Sequence, residues 1–510
     1  MTQVIDDLGV DLSTLDGVGT RTPHPLVLVI FGASGDLAGR KILPALAQLA
    51  EQHSLPKEFA VVGVSRTYFS DEEYQNTCRR EGPADAPIWS QICGNFRYLA
   101  GDYTDDDLFV RLDSLLADID ASVGTGGNRI YYLATIPTLF ARVAEGLGSA
   151  GLNKPAGDGT FARLVVEKPF GTDLSSSRVL EGQLHEFFKE EQIFRIDHYM
   201  GKETVLNIFA LRFANSIFEP IWNRRYVDHI QVTVAESLGV EHRGAFYESA
   251  GALRDIVQNH VMQVLALTLM EPPASMDATA IRDEKVKLLR SMVIPSSDQA
   301  ASFVVRGQYG AGAIDGESVI GYRDEPGVSP VSETETYVAA RLGVDNWRWA
   351  GVPIFVRTGK RLAKRSTEFS MFFQRPPHLP FAGSLSRDLR PDALTLRIQP
   401  DEGISLAFGA KVPGPEFRVR TVEMEFSYSD AFPGPTADAY ERLLLDAMIG
   451  DAMLFIRADE VDQAWQNVAP MLESFAILQP PLARYDAGSW GPVEADQLIE
   501  STGHRWRNPS

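Results

Sequence analysis

The sequence contains little cysteine and no long apolar run. Its two cysteines among 510 residues, Cys78 and Cys93, have no metal-ligand pattern around them. This scarcity excludes a disulfide scaffold and favours a reducing compartment such as the cytoplasm. No apolar run approaches the roughly 18 residues that a membrane span needs, so we expect no membrane partner. The first 24 residues lack the basic segment and apolar core of a secretory signal, and we interpret residues 1–24 as a loose tail.

Positive charge is scarce as well. The 48 Lys and Arg residues against 68 Asp and Glu give a net charge of −20, which argues against nucleic acid as a partner. The same imbalance makes local basic clusters informative, because an anionic substrate must find positive charge on an acidic background. A length of 510 residues predicts two or more domains or one unusually large domain.

A glycine-rich turn follows the first predicted strand. Leu26 to Phe31 is a continuous apolar run, typical of a central parallel strand, and Arg40 to Glu51 has helical spacing. Strand, glycine-rich turn and helix in this order predict a dinucleotide-binding loop. The turn has the spacing G-x-x-G-x-x-A and supplies the candidate cofactor-binding residues Gly32, Ala33, Ser34, Gly35, Asp36 and Leu37.

The end of the second predicted strand bears on the choice of cofactor. Phe59 to Val64 is followed by Ser65 and Arg66, at the place where an NAD-specific site usually has an acid. A guanidinium fork suits a 2′-phosphate, so Arg66 favours NADP. The alternative is a surface arginine that pairs elsewhere.

Later strands of the same region also end in polar residues. Asp102 and Tyr103 follow the third predicted strand, and Lys168 follows the fifth, where Pro169 fixes the backbone. Ligands of doubly wound sheets lie outside the carboxyl ends of the strands. We therefore take Asp102 and Tyr103 as candidate cofactor-binding residues and Lys168 as a candidate contact for both cofactor and substrate. A lysine paired with Glu167 is the alternative.

The densest set of reactive side chains lies between residues 195 and 203. An acid, an imidazole, a phenol and an ammonium occur within six positions, at Asp197, His198, Tyr199 and Lys202. We expect extended chain before Gly201, where neighbouring side chains point to opposite faces, so Asp197 should orient a group other than His198.

A helix is predicted from Glu203 to Phe213, with Lys202 at its first turn. A cation there opposes the helix dipole unless an anion lies between the ammonium and the N–H groups. A phosphate would fit this position. The alternative is a surface lysine beside a buried ion pair.

After residue 214 the pattern changes to alternation with period two. The alternating segments predict a large, mostly antiparallel sheet with one solvated or partner-covered face. We place the domain boundary near Gly201. The sequence thus predicts an α/β Rossmann-type dinucleotide-binding domain at residues 25–201. It predicts an α+β domain with a large, mostly antiparallel sheet at residues 202–510.

Gly251 to Met270 is predicted to form one helix with His260 on its apolar face. A lone histidine there is more often a core residue, yet a neutral imidazole on a rigid helix is also the usual general base near pH 7. Asp255 precedes His260 in the sequence, and Glu236 ends a predicted strand. A core histidine does not need such polar neighbours, so they favour a functional role for His260. In the later basic run, Lys360 at the end of a strand is the candidate ligand-binding residue.

Several segments together resemble glucose-6-phosphate dehydrogenases. They are GASGDL at 32–37, EKPFG at 167–171, RIDHYMGKE at 195–203, FEPIWNR at 218–224, RDIVQNH at 254–260, GVPIFVRTGK at 351–360 and YERLLLDAMIGD at 440–451. The third resembles the family signature RIDHYLGKE, with Met200 in place of leucine. The resemblance covers nearly the whole chain after the tail.

The resemblance implies oxidation of D-glucose 6-phosphate at C1 to 6-phospho-D-glucono-1,5-lactone, with hydride transfer to NADP. This reaction is the first step of the oxidative pentose phosphate pathway. It implies His260 as the base and Asp197 as the carboxylate that orients it. The implied substrate-binding residues are Lys168, His198, Tyr199, Lys202, Glu236, Asp255, Lys360 and Arg365. The resemblance implies no metal, and it implies a homodimer or homotetramer assembled through the second domain.

Two alternatives remain open. The first is another NADP-dependent sugar oxidoreductase with the same Glu-Lys-Pro feature, which would lack a phosphate grip. The second is a non-catalytic NADPH-sensing module that uses the same two-domain body.

Overall fold

The computed structural model describes residues 22–83, 86–300, 302–380, 389–432 and 438–509, so the predicted tail lies outside the described residues as far as residue 21. The strands are β1 Leu26–Phe31, β2 Phe59–Ser65, β3 Arg97–Ala100, β4 Arg129–Leu133, β5 Ala162–Val166, β6 Ile193–Arg195, β7 Val227–Ala235, β8 Met292–Val293, β9 Val304–Gly310, β10 Gly312–Ile314, β11 Glu317–Val319, β12 Tyr337–Val344, β13 Ile354–Gly359, β14 Ser366–Phe373, β15 Ala393–Gln399, β16 Gly403–Lys411, β17 Val419–Ser427 and β18 Ala483–Asp486. The α-helices are α1 Leu43–Glu51, α2 Asp71–Glu81, α3 Pro87–Ile92, α4 Asp106–Val123, α5 Phe140–Ser149, α6 Leu174–His185, α7 Glu203–Phe213, α8 Gly244–Ala252, α9 Met262–Leu269, α10 Ala278–Arg290, α11 Ser297–Ala300, α12 Tyr428–Ala431, α13 Ala439–Ile449, α14 Ala458–Ile477 and α15 Val493–Glu500. Two segments are π-helical, Ala38–Ile42 and Leu253–Val261.

The described chain folds into two compact units. The first contains the residues up to Lys168 together with 182–196 and 440–452. The second contains 169–181, 197–439 and 453–510 within the described ranges. None of the helices in those ranges combines the length and the apolar character that a bilayer crossing requires.

The first unit is built on a six-stranded parallel sheet. Its strand order is β3-β2-β1-β4-β5-β6, so the order reverses beside β1. All six residues of β1 and all seven of β2 are buried, as expected for strands that are covered on both faces. This arrangement confirms the predicted Rossmann-type domain.

The glycine-rich turn leaves β1 beside the end of β4. Gly32 has φ +92°, and a Cβ there would lie 2.4 Å from the Ala134 carbonyl oxygen, so the close approach of the two strand ends requires glycine. Leu37 then caps the π-helical turn that leads into α1. Carboxyl strand ends and a helix N-terminus thus meet at this turn, as an anion-binding edge requires.

The second unit is built on a mixed, mostly antiparallel sheet. Its strands run in the order β17-β16-β15-β14-β7-β13-β12-β9-β18, with β8 paired to β12. Two neighbouring pairs are parallel, β7 with β13 and β9 with β18. The large sheet is therefore confirmed. The sequence predicts one face that is solvated or covered by a partner, but in the central strands this chain covers that face itself, and β7 has eight of its nine residues buried.

The polar face of the central strands is covered by the C-terminal segment. The Gln231 side chain donates to the Arg505 carbonyl and accepts from Arg507 N, both at 2.8 Å. Beside it, the Arg357 guanidinium lies over the Trp506 ring at 4.6 Å. Residues that the alternating pattern would leave in solvent are thus buried under residues 505–507 of the same chain, which form the C-terminal strap.

The helical segment around His260 differs from the single helix that the sequence predicts. Gly251 has φ +63°, which breaks the backbone before the π-helix, and α9 follows that π-helix. His260, Gln258 and Asn259 are all buried, so the later part of the segment is enclosed rather than buried along one face only. A π-helix shifts side chains out of α-helical register, and such segments are frequent at functional sites.

Candidate active site

The structure pairs the Asp197 carboxylate with the His260 imidazole. Asp197 Oδ1 lies 2.5 Å from His260 Nδ1, and each side chain is 1% exposed. The same carboxylate oxygen accepts from Tyr199 N at 2.9 Å, and the Asp197 carbonyl accepts from Met200 N, so a tight turn holds the acid in place. A carboxylate bound to one imidazole nitrogen fixes the tautomer and orients the ring. The pair has the form of a general base with its orienting acid.

Two more rings from the same turn contact the imidazole. The Tyr199 ring stacks on His260 with 4.1 Å between the centroids, and the His198 ring meets it edge-on at 4.7 Å. The expected extended conformation is wrong here, because β6 ends at Arg195 and a turn follows. Asp197 and His198 therefore both contact His260 instead of pointing apart.

Two cations converge on one neutral side chain beside this turn. Lys202 is the N-cap residue of α7, and its ammonium donates to the Gln399 amide oxygen at 2.8 Å. Arg365 donates to the same oxygen at 3.4 Å. Positive charges brought together on a neutral acceptor at a helix N-terminus provide what an anion such as a phosphate requires.

Gln399 also donates hydrogen bonds, and sequence reasoning missed it. Its amide nitrogen donates to the Tyr199 hydroxyl and to Thr367 Oγ1, each at 3.0 Å. Gln399 thereby connects the two cations to the ring that stacks on His260. A glutamine near the end of a strand carries no reactive signature, and no signal in the sequence separates it from other polar strand residues.

Glu236 and Lys360 form an ion pair at the ends of two parallel strands. β7 and β13 run in register, with Ala235 opposite Gly359, so the next residue of each strand lies beside the other. The Lys360 ammonium also lies 5.0 Å from the centre of the Tyr247 ring.

Asp255 belongs to the same neighbourhood. Burial raises the pKa of Tyr247 well above its usual value, and the charges of Asp255 and Glu236 raise it further. Both carboxylates therefore act electrostatically on the Tyr247 hydroxyl. The structure thus brings Glu236, Asp255 and Lys360 around one buried phenol, although they are far apart in the sequence.

The predicted cofactor residues of the first unit occupy the carboxyl edge of its sheet. Ser34 bonds to Ser65 on β2 with 2.8 Å between the hydroxyl oxygens, and Arg66 after it is exposed. Gly35 N donates to the Gly32 carbonyl at 2.9 Å, which closes the turn. Hydroxyl, backbone and guanidinium donors on one edge fit a phosphorylated dinucleotide.

The remaining predicted cofactor residues already have contacts within the first unit. Asp36 pairs with Arg40 at 2.7 Å, and Asp102 accepts from Thr104 N and Oγ1, hydrogen bonds that lower the pKa of Asp102. The Tyr103 hydroxyl donates to the Val64 carbonyl.

Lys168 follows β5 and is half-buried. The preceding Glu167 accepts a hydrogen bond of 2.6 Å from the Tyr132 hydroxyl. This buried bond gives Glu167 a structural partner of its own on β4.

Asp197, His198 and His260 also satisfy the spacing of metal ligands, since one donor atom from each lies within 4.8 Å of the others. The short bond between Asp197 and His260 Nδ1 uses two of those atoms on each other.

Comparison with known proteins matches both halves of the chain to one family. The model "Glucose-6-phosphate dehydrogenase, NAD binding domain" matches residues 29–207, and "Glucose-6-phosphate dehydrogenase, C-terminal domain" matches residues 209–507. Glucose-6-phosphate 1-dehydrogenase 2 of Mycobacterium tuberculosis is 46% identical over 498 residues, 96% of each chain. Glucose-6-phosphate 1-dehydrogenase of Aggregatibacter actinomycetemcomitans is 47% identical over 488 residues, 95% of this chain and 97% of its own.

Solved structures agree with the sequence relatives. Glucose-6-phosphate 1-dehydrogenase from Mycobacterium avium has a TM-score of 0.82 at 37% identity, over 96% of this chain and 99% of its own. A glucose-6-phosphate dehydrogenase in complex with its substrate glucose-6-phosphate has a TM-score of 0.86 at 32% identity, over the same shares of the two chains. Since both halves match in chain order and the relatives cover almost all of it, the chain belongs to the glucose-6-phosphate dehydrogenase family.

Proposed function

We propose that this protein oxidises D-glucose 6-phosphate at C1 to 6-phospho-D-glucono-1,5-lactone and uses NADP as the hydride acceptor. The observation that carries the proposal is the buried Asp197–His260 pair, with the Lys202–Gln399–Arg365 cluster attached to it through Tyr199. The Asp197–His260 pair supplies a base, and the Lys202–Gln399–Arg365 cluster supplies a binding site for an anion. Oxidation of a phosphorylated sugar at a hydroxyl group needs both.

His260 removes the proton from the C1 hydroxyl. Its Nδ1 is bound to Asp197, so Nε2 is the nitrogen that takes the proton. Asp197 holds the ring in orientation and stabilises the imidazolium that forms. Stacking on Tyr199 fixes the plane of the ring, which reduces the reorganisation needed at each turnover.

The phosphate is held by His198, Tyr199 and Lys202, with Arg365 at the same end. The convergence of Lys202 and Arg365 on Gln399 supports this assignment and adds Gln399 to the set. Glu236, Asp255 and Lys360 bind the sugar hydroxyls and the phosphate. Lys168 serves both sugar and cofactor.

NADP supplies the hydride-accepting nicotinamide when it is bound. Gly32, Ala33, Ser34, Gly35, Asp36 and Leu37 form the turn for its pyrophosphate, and Asp102 and Tyr103 lie at the same edge. Arg66 binds the 2′-phosphate. The fit is supported by the close approach that only glycine permits at Gly32 and by the exposed guanidinium at the end of β2.

We assign residues 25–201 to the NADP-binding domain and 202–510 to the substrate-binding and oligomerisation domain. The family models meet between residues 207 and 209, which supports a boundary near Gly201. A homodimer or homotetramer and a cytoplasmic location complete the proposal. Two buried cysteines in thiol form, Cys78 and Cys93, are compatible with a reducing compartment.

An absorbance assay of NADPH formation tests the function. We expect rapid reduction of NADP with glucose 6-phosphate and much slower reduction with glucose at the same concentration. Equal rates with both sugars would favour a different NADP-dependent sugar oxidoreductase. Binding of NADPH without reduction of NADP by any sugar phosphate would favour a sensing module.

A further inference from the structure

Hydroxyl groups from three neighbouring strands and the turns after them meet near the carboxyl edge of the first unit. Ser34 follows β1, Ser65 ends β2, Thr67 lies two residues further on, and Tyr98 belongs to β3. Ser65 Oγ lies 2.8 Å from Ser34 Oγ and 2.7 Å from the Tyr98 hydroxyl. The roles proposed above use Ser34 and Arg66 and leave Ser65, Thr67 and Tyr98 without a function.

The hydrogen atoms of this cluster can be assigned one by one. A carbonyl only accepts, so the Tyr98 hydroxyl donates to the Thr67 carbonyl, at 2.7 Å. Ser65 must then donate to Tyr98. The single hydrogen of the Ser34 hydroxyl is then shared between Ser65 Oγ at 2.8 Å and Thr67 Oγ1 at 3.2 Å. Of these hydroxyls, that of Thr67 keeps its hydrogen for a group outside the cluster.

Both backbone groups of Thr67 are held by side chains. Its N–H donates to Ser65 Oγ at 3.2 Å, and its carbonyl accepts from Tyr98. These bonds fix the peptide on either side of Thr67 and therefore the direction in which Arg66 leaves the chain. Both Arg66 and Thr67 are exposed at the surface.

Tyr98 is itself firmly held. Its side chain is buried, and its ring packs edge-on against Phe69 at 5.2 Å and lies 5.0 Å from Tyr74. Asp71 accepts from its backbone N–H at 2.7 Å. Burial raises the pKa of the Tyr98 hydroxyl, which therefore stays protonated and remains a donor near neutral pH.

We propose that Tyr98 and Ser65 are positioning residues for the 2′-phosphate of NADP, and that Thr67 contributes a second donor beside Arg66. By fixing the Thr67 backbone, the relay presents a guanidinium and a hydroxyl to the same anion. NAD has a hydroxyl in place of that phosphate and gains less from this arrangement. The relay thereby sets the preference for NADP. This inference rests on the proposed use of NADP.

Tyr98→Phe tests the relay, with NADPH and NADH affinities measured by fluorescence titration in the absence of sugar. The variant loses the bond to Thr67 and the acceptor for Ser65. The dissociation constant for NADPH should rise about three- to tenfold, the range for one or two neutral hydrogen bonds, while that for NADH changes less than about twofold. Ser65→Ala should act in the same direction.

Tyr131→Phe is the matched control. The Tyr131 hydroxyl is also buried and donates to a backbone carbonyl, that of Leu152, at 2.9 Å in the same unit. Its loss should leave the ratio of the NADPH and NADH affinities unchanged. A merely structural role for Tyr98 would make it resemble this control, or would weaken both dinucleotides equally.

A double-mutant cycle with Arg66→Ala decides whether Tyr98 acts through the phosphate site. The effect of Tyr98→Phe on NADPH should largely disappear in the Arg66→Ala background, because the two residues share one anion. An undiminished effect in that background, or equal losses for NADPH and NADH, would overturn the inference. If the wild type binds NADPH selectively but does not oxidise glucose 6-phosphate, the proposed reaction fails and the relay stands.

Discussion

His260 is constrained at one nitrogen and on one face of its ring. The bond to Asp197 fixes the proton on Nδ1, and the Tyr199 ring covers one side of the imidazole. Few orientations remain for the ring, which is what the proposed role in proton transfer requires.

His260→Asn should lower kcat by about 10³-fold while KM for glucose 6-phosphate changes little, because an interaction made in the transition state is lost. Steady-state kinetics of the purified variant measures both constants. His185→Asn is the control, since that imidazole pairs with Glu190 in the first unit, and it should retain wild-type turnover. Turnover of His260→Asn within a few-fold of wild type would remove His260 from the role of base.

Lys202→Ala should weaken the phosphorylated sugar selectively. Loss of one charge-assisted contact should raise KM for glucose 6-phosphate by about 10- to 100-fold and leave the weak activity on glucose nearly unchanged. Assays with the two sugars side by side measure the difference. Lys189→Ala removes an exposed lysine ion-paired with Glu191 and should change neither value. Equal losses for both sugars would place the phosphate elsewhere.

At the residue scale, the sequence predicts groups with reactive side chains and misses groups that position them. Asp197, His260 and Lys202 belong to recognisable chemical types in an unusual local pattern. Gln399 and Tyr98 do not, because amides and phenols on strands are common. Their roles follow from hydrogen-bond partners that the fold brings from distant segments.

The segment that carries His260 begins at a glycine under constraint. Gly251 has φ +63°, and a Cβ there would lie 2.3 Å from the Glu335 carboxylate. That carboxylate accepts from Leu253 N at 3.2 Å, and the Glu335 carbonyl accepts from Ala252 N at 3.0 Å. Glu335 thus anchors the first turn of the π-helix.

Gly251→Ala should therefore disturb both stability and catalysis. The strained backbone and the displaced carboxylate should cost about 2–3 kcal/mol of unfolding free energy and lower kcat more than they raise KM. Chemical denaturation and steady-state kinetics measure the two effects. Gly182→Ala offers a control of opposite sign, because that glycine lies in α6 with open space around it. The helix should gain about 0.5–1 kcal/mol there.

At the element scale, periodicity predicts the parallel strands of the first unit well, since continuous apolar runs bounded by turns have few other interpretations. Periodicity does not predict the π-helix Leu253–Val261, because a π-helix and an α-helix contain the same types of residue. It also fails on the covered face of the large sheet. Polar residues such as Gln231 and Thr233 are buried there by the C-terminal strap. The local sequence pattern of the strands does not predict this cover.

His229, on the covered face of the large sheet, contributes a pH dependence to the stability of the whole molecule. Burial lowers the pKa of His229 to about 4, although its bond to Asp228 opposes the shift. Gln231 donates to His229 Nε2 at 3.0 Å, which also favours the neutral ring. The unfolded chain binds a proton below its ordinary pKa of about 6.5 while the folded chain does not. Stability is therefore complete above that pH and falls as the pH approaches 4.

His229→Phe should reduce this dependence. The ring stacking on Phe372 is kept, while the titrating group is removed. Between pH 7 and 4 the wild type should lose about 3 kcal/mol more unfolding free energy than the variant loses. Urea titrations at a series of pH values measure the slopes. Parallel slopes for the two proteins would show that His229 titrates alike in the folded and unfolded chains.

The parallel pairing of β7 with β13 has a consequence for biosynthesis. It joins Glu236 to Lys360, 124 positions further along, and Gln399 arrives on β15 later still. A chain growing on the ribosome therefore has the imidazole and its acid long before it has the rest of the sugar pocket. Nascent fragments that stop short of β15 should be catalytically silent. Because residues 505–507 cover β7, activity should appear only after the C-terminal residues have also left the exit tunnel, and a pulse-labelled translation time course can follow its onset.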